Sequence, residues 1–190
     1  MEAVVKIRKL LAGALTGLAL AGGAVAMPHA SATAAYFSIT GTGLAVSDPN
    51  PIGGANLGDV ATGSLSLTGS LGNVTVTDGR AAPLALATWT ATVTASDFVR
   101  DGAASTPAAS EKVATTNIAY TGGTPSVQSG GVFTGGVVAS MAAPASARIA
   151  GAFVGIGGNS SATWNPSLTF TFISSQVAGI YRGTVTHSVA

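Results

Sequence analysis

The 190-residue chain has no cysteine, and charged side chains make up only 8% of it. Without thiols it forms no disulfide and offers no thiolate to a metal, so packing and backbone ladders must hold it together. Its charge is too sparse for a nucleic-acid footprint. Arg80, Arg100, Lys112, Arg148 and Arg182 stand singly and far apart in sequence, where a phosphate backbone requires clustered cations. Histidine occurs only at His29 and His187, which leaves zinc without its usual nitrogen cluster. Aromatics amount to 6%, with two tryptophans, Trp89 and Trp164. The apolar run from Leu10 to Ala26 is glycine-rich and shorter than the ~20 residues a membrane helix needs.

That run reads instead as an export leader. Lys6, Arg8 and Lys9 precede it, and two small-x-small patterns follow, Ala24-Val25-Ala26 and Ala30-Ser31-Ala32. Cleavage is expected after Ala32, making 1–32 a removed signal peptide and 33–190 a single mature domain without a membrane span. The mature span keeps five basic and six acidic side chains, a net of −1, so the basic balance of the whole chain belongs to the leader. No apolar tail or basic cluster follows Val189, and any hold on a cell surface is expected to be non-covalent.

Val and Thr are abundant, and they alternate. Leu86 to Ala95 sets Trp89, Ala91, Val93 and Ala95 on one side and Thr88, Thr90, Thr92 and Thr94 on the other, the period-two pattern of a strand with one face in a core. Similar patterns predict strands at Tyr36–Thr40, Gly63–Thr68, Asn73–Thr77, Val113–Tyr120, Arg148–Gly155, Leu168–Phe172 and Gly183–Val189, with a short extended piece at Ala162–Trp164. Gly and Asx turns such as Asp78-Gly79 and Gly157-Gly158-Asn159 separate them, and Arg100–Glu111 reads as a loop. Many short strands without a helical period predict an all-β, single-domain antiparallel sandwich, of Ig-like or Greek-key type; the alternative is a partly closed barrel.

Chemistry-bearing constellations are scarce. His187 lies within a strand and has no Gly-x-Ser-x-Gly elbow to supply a nucleophile. Asp97 and Asp101 border a loop and read as solvated turn acids. Asp48, Asn50 and Asp59 lack the regular loop of a calcium site. No catalytic residue, metal ligand or cofactor is therefore expected. Trp89 is expected in the core. Trp164, read in a loop beside Asn165-Pro166, suits either a core or the face of a sugar.

Two segments carry a family resemblance. Trp89-Thr90-Ala91-Thr92-Val93-Thr94-Ala95-Ser96-Asp97-Phe98 resembles the first motif region of WxL-domain surface proteins, and Ala178 to Val189 resembles the second, which in that family also lies at the C-terminus. The Leu of the first motif is Ala91 here, and the Trp and Leu of the second are His187 and Val189. The resemblance implies a non-enzymatic, secreted protein that holds non-covalently to the peptidoglycan, or another glycan, of a Gram-positive wall, beside companion surface proteins. Trp89, Trp164, Tyr181 and His187 are the expected binding residues, with Tyr181, Val185, His187 and Val189 on one strand face. A self-assembling surface or fibre subunit is the alternative, since alternating Thr/Val strands can add edge to edge; a hydrolase using His187, Asp97 or Asp101 ranks behind both.

Overall fold

The structure, a computed structural model, describes residues 29–32 by their backbone, and 43–47, 54–80, 88–144, 148–155 and 159–190 in full. The strands form four antiparallel sheets, none closed into a barrel, and the chain is an all-β sandwich. Sheet I runs β1 (His29–Ala32), β16 (Val185–Val189), β5 (Thr88–Ala95), β12 (Ile149–Gly155), β10 (Gly131–Gly135). Sheet II runs β2 (Leu44–Val46), β4 (Val74–Asp78), β13 (Ser160–Trp164), β9 (Pro125–Ser129). Sheet III runs β11 (Val137–Val138), β8 (Ile118–Thr121), β14 (Ser167–Thr171), β3 (Ser66–Ser70). A small sheet IV joins β15 (Tyr181–Arg182), β6 (Phe98–Arg100) and β7 (Lys112–Val113).

Alternation decides which side chains go inward. In β5, Trp89, Ala91 and Val93 are buried while Thr88 and Thr94 are exposed; in β16, Val185, His187 and Val189 are buried. Sheet I packs against sheets II and III. Trp89 and Phe133 of sheet I meet Trp164 of sheet II with ring centroids 6.4 and 4.5 Å apart, and His187 meets Tyr120 of sheet III at 5.6 Å. Each buried tryptophan removes about 150–250 Å² from water, roughly 4–6 kcal/mol at ~25 cal/mol/Å². Beneath this cluster, Gly151 lets the Phe133 ring lie against the β12 backbone; a Cβ there would overlap the ring. Between Ile149 and Gly151 the β12 register slips against β5, a bulge, while on its other edge β12 keeps register with the β10 side, the Ala150 carbonyl accepting the Gly136 N–H at 2.8 Å.

Several expectations change. The strand expected at Tyr36–Thr40 lies outside the described residues, as do Asp48 and Asn50. The strand expected over Val113–Tyr120 is split: a 3₁₀ turn, Thr115–Asn117, separates β7 from β8. Asp97 accounts for the break, because its carboxylate accepts the Thr115 N–H at 2.9 Å and takes that residue out of the ladder. Tyr181 does not share a face with His187, since β15 belongs to sheet IV and β16 to sheet I.

Candidate functional site

Three of the four expected binding residues come together, but inside the core. Trp164 closes β13 as a strand residue and is fully buried, so of the two settings the sequence left open the core one holds, and its expected place beside a loop, with a role in binding at the surface, is corrected. The alternation of Ser160, Ala162 and Trp164 continues inward up to the Asn165-Pro166 break, and this carries the ring into the interior. Trp89 stacks on Phe153 with centroids 4.9 Å apart, and its Nε1–H donates to the Ser160 hydroxyl at 3.3 Å. His187 is 1% exposed and lies 6.4 Å from Trp164, edge to face. None of these rings offers a face to a ligand in solution.

They are joined by a polar chain through Tyr120. Trp164 Nε1, which can only donate, gives its proton to the Tyr120 hydroxyl at 3.2 Å. The hydroxyl lies 3.1 Å from His187 Nε2 and gives its own proton there. That network assigns the neutral imidazole its hydrogen at Nδ1, which has no partner. Burial pushes the His187 imidazole down to about 4, so it is neutral at ordinary pH. Burial likewise drives the Tyr120 phenol far above its usual value, against the opposing effect of the Trp164 donor. A histidine shut from solvent, whose hydrogen-bond partner is a phenol, has no route to a substrate in this packed state. The two acids that a hydrolase would pair with it are engaged elsewhere: Asp97 lies 3.6 Å from Lys112, and Asp101 accepts from Arg182 Nε at 3.0 Å.

Tyr181 sits apart, half-buried at a cleft of about 660 Å³ between residues 54–64 and 176–183. Its hydroxyl accepts from Gln176 Nε2 at 2.9 Å and faces the Val177 carbonyl at 2.6 Å, which fixes the ring and leaves no free hydroxyl for a ligand. The cleft floor is apolar, built from Phe98, Phe170, Phe172 and Leu67, while Val60, Val177 and Ile180 stand exposed around it. Phe98 and Phe170 meet edge to face at 4.9 Å and bind sheet IV to sheet III.

The outer faces differ from both. Thr75 and Thr163 hydroxyls pair at 2.9 Å across sheet II, Ser129 and Ser161 at 2.9 Å beside them, and Thr68 and Thr169 at 2.9 Å across sheet III. On sheet I, Thr186 lies opposite Thr94 and Ser188 opposite Thr92. Among the described side chains, the strands of sheets I to III carry one charged residue, Asp78, and it points inward. Arg80 meets it with Nε at 2.8 Å and Nη2 at 2.7 Å, and reaches the Thr88 carbonyl at 3.0 Å. Burial alone would raise the Asp78 carboxyl, but the Arg80 guanidinium and backbone N–H outweigh it and hold the carboxyl below its usual range. Of the other described charges, Asp97–Lys112, Arg100–Glu111 and Asp101–Arg182 are paired around sheet IV, while Asp59 stands at the cleft and Arg148 directly precedes β12.

No protein-family model, curated protein or solved structure matches the chain significantly. Sequence reasoning passed over Tyr120, although its parity with Ile118 signalled an inward position. It also passed over the cleft, whose walls are irregular chain without a period to read.

Proposed function

We propose that the protein is a secreted, non-enzymatic surface protein that adheres non-covalently to wall peptidoglycan through its outer sheet faces. The observation that carries this reading is the makeup of those faces: hydroxyl pairs across sheets II and III, facing Thr and Ser residues on sheet I, and no outward-pointing charged side chain among the described strand residues of the three sheets. Ordered neutral hydroxyls can exchange hydrogen bonds with a glycan, and neighbouring valine methyls such as Val127 and Val154 can cover its apolar ring faces. The segments that resemble the WxL motif regions lie side by side, β5 against β16, with Ala91 opposite Val189 and Val93 opposite His187. Since the tryptophans and His187 are buried, the contact falls to the sheet faces and the cleft beside Tyr181.

Sedimentation with purified peptidoglycan tests the reading. Retention should persist from low salt to about 1 M, because ionic screening has little to weaken. Protein left wholly in the supernatant at both salts refutes it. Thr163→Glu and Thr169→Glu, on sheets II and III, should lower retention without altering the circular dichroism spectrum.

A second reading, self-assembly, draws on one feature. Val132 and Val154 face each other across β10 and β12 at 60% and 55% exposure, next to the edge of sheet I, where a second copy could dock. A strict monomer by light scattering at high concentration would remove it.

A further inference from the structure

Strand β1 falls inside the segment that cleavage after Ala32 would discard. His29, Ala30, Ser31 and Ala32 pair antiparallel with Val189, Ser188, His187 and Thr186, which makes β1 the edge strand that covers β16. It also lies against β2, the edge strand of sheet II, so it bridges the two layers where they meet. Removing it would strip the outer backbone ladder from β16, the strand that carries His187 and Val189 into the core. A buried ladder left open costs hydrogen bonds, and an exposed edge invites pairing with other chains.

We infer that the leader is cut after Ala26, not Ala32, so that the mature protein begins at Met27 and keeps His29–Ala32 as a structural strand. The sequence accommodates this. Ala24-Val25-Ala26 has the small-x-small form, and it ends the apolar run directly, with Gly22-Gly23 between the leucine-rich part and the cut. In the folded chain the other pattern, Ala30-Ser31-Ala32, is taken up in the register with Ser188, His187 and Thr186 of β16.

This inference rests on the secretion proposed above, and one experiment separates the two. The full-length precursor is expressed in a secreting Gram-positive host, and both medium and cells are analysed by N-terminal sequencing and intact mass. A secreted chain beginning at Met27 supports the inference. A secreted chain beginning at Thr33, or anywhere beyond His29, overturns it while leaving secretion standing. An uncleaved chain confined to the cytosol overturns both. Two variants sharpen the assignment. Ala26→Val should block processing or move it downstream, whereas Ala32→Val, which suits a strand, should leave the mature N-terminus at Met27; the reverse pattern refutes the inference. Chains made to begin at Met27 and at Thr33 should differ in thermal midpoint, the shorter one melting earlier. Equal midpoints would show that β1 contributes nothing to the mature domain, and would remove the structural ground for the earlier cut.

Discussion

Acidification should weaken this protein before its carboxylates begin to titrate, and His187 is the reason. The imidazole is 1% exposed, its Nε2 is bonded to Tyr120 and its Nδ1 has no partner. Burial lowers it from 6.5 to about 4 in the folded state, while in the unfolded chain it keeps the ordinary value. Between those values the unfolded state binds more protons than the native state. The contribution is therefore fully present above about pH 6.5 and is lost as pH falls toward 4. Linkage puts the loss between pH 7 and pH 5 at about 2 kcal/mol, with a slope approaching one proton. Near the histidine, the titratable side chain on the facing strands is Tyr120, whose phenol stays protonated, so no described carboxylate is in contact to offset the cost of the imidazolium. Urea unfolding at pH 7, 6 and 5 reads this directly, and the window lies above the ordinary carboxylate range. His187→Phe keeps a ring of similar breadth and cannot be protonated, so its stability should vary much less across the same interval. A wild-type free energy that stays flat from pH 7 to 5, or a His187 resonance titrating near 6.5 in the folded protein, would refute the reasoning.

Tyr120→Phe removes the shared oxygen between Trp164 Nε1 and His187 Nε2 and leaves both buried without a partner, so urea melts should show a loss on the order of 2–4 kcal/mol. Asp78→Ala unpairs Arg80, which is partly exposed and keeps the Thr88 carbonyl, and should destabilise by about 1–3 kcal/mol at neutral pH, whereas Asp78→Asn should lose less because it keeps a hydrogen-bond acceptor. Gly151→Ala places a methyl group into the Phe133 ring and should lower stability by about 1–3 kcal/mol; an unchanged thermal midpoint would mean that the ring moves aside at no cost.

The sheet layers were legible because alternation is a local signal. Trp89, Ala91 and Val93 announce their common face within five residues, and β4, β5, β12 and β14 fall within two residues of where the pattern puts them. The Thr115–Asn117 turn was not legible, because it depends on Asp97, a residue of the distant link between β5 and β6. Trp164 shows the same limit from another direction. Its neighbours Asn165 and Pro166 carry loop chemistry, but its own fate was set by pairing with Val74 on β4, a contact distant in sequence. Tyr181 and His187 looked like neighbours on one strand because six residues is an even step; the Gly183-Thr184 break moves them into different sheets. Periodicity thus finds faces, while the partners across a sheet, and the breaks they impose, are fixed by contacts it does not contain.

Burial also bears on the proposed likeness to the WxL motif regions. Ala91, His187 and Val189 are 0%, 1% and 1% exposed. A side chain at any of the three acts on a ligand only through the packing beneath the surface. At position 187 an imidazole stands where the motif has an indole, and Tyr120 meets its Nε2, so the smaller ring is anchored by a hydrogen bond as well as by contact area. Ala91 opposite Val189 is a small pair in a tightly filled interior, where a leucine at either place would need its neighbours to move, at about 1–3 kcal/mol. The three side chains therefore bear on how sheet I closes over sheets II and III. Changes that test the proposed wall adhesion directly belong on the threonine and serine rows that face water, where Thr163 and Thr169 can be altered without disturbing a buried ring.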